Sequence, residues 1–227
     1  MSPDSLTMAV TIAVFLFSVV VHENAHGIAA DHFGDPTARA LGRITMNPIP
    51  HLDPIGSVLL PITAAITHVP LLGWAKPVPV NSANFRNPVV HNAYVAAAGP
   101  ASNLLLALAA SFLWIGVALF FKHVPGAAVS GERSLFFFNT LFFSMIQVNC
   151  ILALFNLLPI PPLDGHWILM RYLPPGPREA LASIGRFGFI ILILLLWSGA
   201  LWMILGPALR LTVSLYYGLV TGIVAAV

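Results

Sequence analysis

The chain has 227 residues, 58% of them hydrophobic, with a mean hydropathy of +0.89 and a net charge of +2. Only 8% are Asp, Glu, Lys or Arg, against about 25% in soluble domains. These values exclude a water-soluble globule and, with no basic stripe anywhere, a nucleic-acid-binding protein; they describe a single unit of helices packed in lipid.

Apolar segments at about residues 6–30, 55–72, 92–121, 135–158, 184–205 and 207–227 predict an all-α polytopic membrane protein with five to six transmembrane helices. The first has neither a basic leader nor a small-residue cleavage pattern, so it reads as a retained helix rather than a signal peptide. "GRITMNP", residues 42–48, and "KPVPV", within the proline- and asparagine-rich run "GWAKPVPVNSANFRNP", read as extended and predict a small β-hairpin or sheet at the membrane edge. The 55–72 segment is short, contains Pro61 and is flanked by Pro54 and Pro70, which predicts a re-entrant element. Cys150, the single cysteine, lies in an apolar run, which excludes a disulfide framework and predicts helix packing.

Loop cations set the orientation. With the first helix running inward and 55–72 re-entrant, Arg39, Arg43, Lys76, Arg86, Arg171, Arg178 and Arg186 fall on the cytoplasmic side, and Lys122, Arg133 and Arg210 outside.

Chemistry concentrates in two places. "HENAH" fits H-E-x-x-H: on a helix, His22 and His26 share a face and can present nitrogens to one metal, while Glu23 sits beside them to act on a bound water. Three ionisable groups within five residues are costly inside an apolar helix unless they are paired or functional. A bland alternative is a polar cluster that hydrogen-bonds neighbouring helices. Catalytic zinc usually takes three protein ligands, and the candidates for the third are Asp31, Asp35, His51, Asp53, Asp164 and His166. Asp164 is best placed, because Pro159, Pro161 and Pro162 break the helix before it and let a carboxylate turn inward. The competing reading is an ordinary Asp-Gly turn.

The sequence resembles the site-2 proteases, the intramembrane zinc metalloproteases of the peptidase M50 type. The resemblance rests on "HENAH", "NLLPIPPLDG", "GDPTARALGRITMNPIPHLDPIGSVLLP", "GWAKPVPVN" and "AAGPASN", in that order, between about residues 15 and 170. It is closest to the compact bacterial branch without PDZ or CBS domains. It implies one domain over 1–227, with a catalytic core at about 6–170 and accessory helices at about 184–227. It further implies one zinc per chain held by His22, His26 and Asp164, Glu23 as the general base that activates a zinc-bound water, and Asn156 holding the substrate backbone. The implied activity is endopeptidase cleavage in or near transmembrane segments of membrane-protein substrates, in a bacterial inner membrane with the active site toward the cytoplasm. A free sheet edge would receive the unwound substrate strand. His166 stands where most relatives have Gly and is expected to face the inner surface; His51 and Asp53 are expected to position their loop.

Two rival classes use the same residues, namely a membrane metal transporter and a non-proteolytic membrane-protein binder. A histidine-box oxygenase is disfavoured by the single HxxxH pair.

Overall fold

The structure, a computed structural model, describes residues 3–53, 56, 59, 76–124 and 131–227. Among these the chain is helical: α1 (Pro3–His32), the short α2 (Thr37–Ala40), α3 (Pro88–His123), α4 (Glu132–Asn156), α5 (Asp164–Tyr172), α6 (Pro175–Ile184), α7 (Gly188–Trp197) and α8 (Ala200–Ala226). Five segments are long and apolar enough to cross a membrane: 4–32, 88–123, 132–156, 175–197 and 200–226. The expected re-entrant segment at 55–72 falls almost wholly outside the described residues.

Local chemistry sets the helix ends. Asp4 occupies the first turn of α1 and His32 its last, complementing the helix dipole, and Gly34, at φ +106°, supplies the left-handed residue that turns the chain away. α3 opens with Pro88 in its first turn and an Asn87 side chain that accepts from the Val90 N–H. α4 stops at Asn156, just before Pro159, Pro161 and Pro162, which cannot continue it.

The core is the bundle of α1, α3 and α4. Val10, Val14 and Phe15 pack on Val148, while Ala107, Ala110, Trp114 and Ile115 of α3 interlock with Phe142, Ile146 and Cys150 of α4. Alanines at these α3 positions let the backbones approach closely, which is how helices associate when lipid supplies no hydrophobic drive. Cys150 is wholly buried in this cluster, as the sequence predicts.

Two expectations are corrected in the second half of the chain. The boundary between the segments expected at 184–205 and 207–227 lies instead at Gly199, which takes φ +75° between α7 and α8, and Pro207 is inside α8. Arg210 therefore sits about 15 Å along a continuous helix rather than in an outer loop. α8 runs the length of the bundle: Leu201 and Leu205 pack on Leu158 and Leu163 at one end, and the Val224 carbonyl accepts from Lys122 Nζ at the other, 2.8 Å away. The 175–197 segment does not. It is broken at Gly185–Phe187, a Cβ at Gly188 would lie 2.0 Å from the Pro161 carbonyl oxygen, and Leu192, Leu195 and Leu196 join the same Leu158 and Leu163 cluster. Four helices, α1, α3, α4 and α8, thus traverse the described bundle, and α6–α7 cap the end that carries Asp164.

The expected small sheet does not form among the described residues. Pro77 and Pro79 lack the N–H groups that a ladder needs, and the remaining donors go elsewhere. Lys76 N–H donates to the His51 carbonyl (2.9 Å), Val78 N–H to Glu23 Oε2 (2.7 Å) and Asn81 N–H to Asp35 Oδ2 (2.7 Å). Arg43 reaches the Lys76 and Pro77 carbonyls, and the Thr45 carbonyl accepts from Asn24 Nδ2 (2.7 Å) and His51 Nε2 (3.0 Å).

Asp35 anchors this connection. Its buried carboxylate also accepts from Asn84 Nδ2 and from the Thr37 N–H and hydroxyl. Burial alone would raise its pKa, but the donated hydrogen bonds outweigh it and hold the group below the usual carboxylate value. Its contribution is therefore complete above the ordinary carboxylate pKa and disappears as pH falls through it toward the depressed one. Asp35→Asn should cost about 1–3 kcal/mol at pH 7. Thermal unfolding in detergent should show the gap between variant and wild type narrowing below about pH 4, and a gap independent of pH would refute the anchor.

Candidate metal centre

His22 and His26 lie one turn apart on α1, and Asp164 opens α5 opposite them. The proline-broken loop delivers the carboxylate by folding hard against α5. A Cβ at Gly165 would lie 2.2 Å from the Leu157 carbonyl oxygen, so the residue after the aspartate has to be glycine.

His22 Nε2 and His26 Nε2 are 3.0 Å apart, and Asp164 Oδ2 lies 3.2 and 3.4 Å from them. Metal bonds of about 2.0–2.1 Å place tetrahedral ligand atoms about 3.3 Å apart, so the triangle has the right size for one ion. Its chemistry points the same way. His22 Nδ1 is 2.6 Å from Asn103 Oδ1, and His26 Nδ1 is 2.7 Å from the Val95 carbonyl. Both partners only accept, so both Nδ1 atoms carry the proton and both neutral Nε2 atoms present lone pairs. Asp164 Oδ2 adds a third and has no hydrogen-bond donor of its own. Three lone pairs this close are mutually repulsive unless a cation stands among them.

The support for His22 continues inward. Asn103 Nδ2 donates to Asn149 Oδ1 (2.8 Å), and Asn149 Nδ2 donates to Ser18 Oγ (2.9 Å). All three residues are wholly buried, so each amide is matched, and the chain ties α1, α3 and α4 together behind the ligand. Glu23 projects from the same helix and accepts from Val78 N–H. Gly99 faces the histidines, and a Cβ there would lie 2.4 Å from His26 Nε2 and 2.6 Å from His22 Nε2.

The remaining candidates lie elsewhere. Asp31 pairs with Arg39, Asp35 anchors the loop, and Asp53 Oδ1 accepts from Gly56 N–H. His51 is 1% exposed and bonds to the Thr45 carbonyl, which fits the loop-positioning expectation for both. His166 corrects its expectation: it is buried, bonds through Nδ1 to the Leu163 carbonyl and packs on Trp167, and burial lowers its pKa. Asn156 is half-buried, with Nδ2 donating to the Leu152 carbonyl (2.9 Å). The sequence reading missed Ser18, Asn103 and Asn149, although uncharged polar residues inside apolar helices were a usable signal.

This geometry defines a site fit for one metal ion, buried in a helical membrane bundle. Comparisons with known proteins name the family. The model of peptidase family M50 matches residues 123–195. Three relatives carry the name "putative zinc metalloprotease". YwhC of Bacillus subtilis is 38% identical, covering 87% of this chain and 86% of its own. Rip2 of Mycolicibacterium smegmatis is 34% identical, covering 84% and 67%, and Rip2 of Mycobacterium tuberculosis is 30% identical, covering 81% and 65%. No solved structure gives a significant match. The chain belongs to peptidase family M50, the site-2 protease family, and is a zinc metalloendopeptidase of multi-pass membrane type.

Two substitutions test the centre. Gly99→Ala should empty the purified protein of zinc, whereas Gly116→Ala, whose Cβ meets nothing within 4 Å, should leave metal content unchanged; full zinc in both would move the centre elsewhere. Asn103→Leu should weaken zinc about 10–100-fold in chelator competition.

Proposed function

We propose that the protein is an intramembrane endopeptidase that holds one zinc between His22, His26 and Asp164, uses Glu23 as general base and cuts membrane-protein substrates in or near their transmembrane segments. The observation that carries this reading is the convergence of three lone-pair atoms, 3.0–3.4 Å apart, inside helices apolar enough to span a bilayer.

Zinc at this position supplies Lewis acidity toward a carbonyl and toward water. The chain's own residues do the rest. Glu23 takes a proton from the attacking water and returns it to the leaving amine. Val78 N–H holds one carboxylate oxygen of Glu23 and so orients the other. Asn103 and the Val95 carbonyl keep each histidine in the tautomer whose Nε2 faces the ion. Asn156, at the end of α4, leaves its bond to the Leu152 carbonyl and donates to the backbone of an unwound substrate.

Charge supports a cytoplasmic placement of the centre in a bacterial inner membrane. Arg39, Arg43, Lys76, Arg86, Arg171, Arg178 and Arg186 all belong to segments at the His22 end, and only Lys122 and Arg133 flank the other. A transporter would need a polar path to both ends; the ionisable cluster occupies one.

Glu23→Gln should retain one zinc per chain while cleavage of single-span membrane proteins in detergent falls roughly 10²–10⁴-fold. Undiminished cleavage would remove Glu23 from the mechanism, and cleavage by neither protein over a broad panel would favour a binder.

A further inference from the structure

Arg210 is the one charged residue of α8, ten residues from its start and sixteen from its end, about 15 and 24 Å respectively. That is close to the middle of a hydrocarbon core about 30 Å thick. An ionisable group at such depth is costly unless it is paired or functional. The chain offers Arg210 no acid. Of its eight acidic residues, Asp4 and Glu132 cap the far ends of α1 and α4, Glu179 lies on α6, and the other five are engaged in the loops or at the metal centre. All eight are among the described residues, and none forms an ion pair with Arg210.

Arg210 lines an open cavity of about 770 Å³ between α1, α3, α4 and α8, shared with Thr7, Thr11, Asn139, Gln147 and Ser214, and its Nη1 folds back along α8 to within 3.4 Å of where a Cβ on Gly206 would stand. Several of the wall's polar groups already satisfy one another: Thr11 Oγ1 lies 3.3 Å from Ser144 Oγ, and Trp114 Nε1 donates to Asn139 Oδ1 at 2.8 Å. Arg210 is the one charged group of the wall and has no acidic partner, so its complement must bring negative charge. Thr7, Thr11, Ser18 and His22 recur at spacings of four, seven and four, one stripe along α1. The cavity and the metal centre therefore share a helix face, with Thr11 about 16 Å from His22.

We propose that this cavity docks a membrane-spanning helix that carries a carboxylate at mid-depth, and that Arg210 selects such helices as substrates. Calling them substrates rests on the protease reading; the docking does not. Lipid phosphates lie at the interface, whereas an Asp or Glu on a neighbouring helix arrives within the cavity itself, and the phosphatidylglycerol arm of the test separates the two. The acid would stand about 11 residues from the cut if the intervening segment stays helical, and about 5 if it is extended.

The test uses full-length Glu23→Gln protein in neutral phosphatidylcholine vesicles, so that binding is read without turnover. Dansyl-labelled Leu/Ala helices with a central Asp or Leu are titrated, with energy transfer from the protein's tryptophans, including Trp114 in the cavity wall, as the signal. The Asp helix should bind at least about tenfold more tightly than the Leu helix. Adding Arg210→Gln should abolish that preference, Arg210→Lys should keep most of it, and Arg210→Glu should transfer it to a helix with a central Lys, all at unchanged zinc content. Equal affinity of the Asp and Leu helices overturns the proposal without needing any Arg210 variant, as does a preference that survives Arg210→Gln. A preference lost on adding phosphatidylglycerol also overturns it, in favour of a headgroup site. Docking without cleavage by the wild type would sink the protease reading alone.

Discussion

A neutral imidazole whose Nδ1 proton is already committed has only a lone pair to offer at Nε2. Two such rings held 3.0 Å apart against a buried carboxylate oxygen make an arrangement that only a cation stabilises. Much of the described bundle serves to impose that arrangement. Asn103, Asn149 and Ser18 commit the His22 proton and in doing so join the three core helices; the Val95 carbonyl does the same for His26. Apolar packing around Cys150 and Val148 keeps water out, which makes each of these bonds costly to break.

The membrane shapes how this is done. Neighbouring helices gain nothing from hydrophobic burial in lipid, so close approach depends on small residues and on matched polar contacts. Gly99 meets both needs, since its missing side chain is the space beside the two Nε2 atoms. At the His22 end, where the chain leaves the helices, the connecting segments are held by side chains rather than by a sheet. Glu23 and Asp35 each take a backbone N–H from the 76–81 stretch. The general-base candidate is thus bound to the loop that covers it, so chemistry and loop placement are coupled through one carboxylate.

Membership of the M50 family agrees with the geometry without supplying it. The family model matches only 123–195, which includes Asp164 but neither histidine. The two halves of the centre meet because α5 packs on α3 and so holds Asp164 against the histidines of α1. The capping α6–α7 and the full-length α8 surround the core, and Arg210 is the one charge that α8 carries within the bundle.

The sequence by itself determined the solvent, the helical class and the face shared by the two histidines. Apolar runs of spanning length admit only helices once lipid surrounds them, and an i, i+4 histidine pair shares a face in any helix. Local rules also marked the end of α4, where three prolines within four residues cannot continue the helix. What tertiary structure decided were properties of pairs distant in sequence. Asp164, rather than the other five candidates, meets the histidines because Gly165 lets the loop close. The tautomers follow from an asparagine 81 residues from His22. The sheet anticipated from "GRITMNP" and "KPVPV" yields to side-chain bonds that no local pattern reveals. The turn falls at Gly199 rather than between 205 and 207 because a proline costs little once neighbouring helices satisfy the freed backbone group, and that satisfaction exists only in the packed bundle.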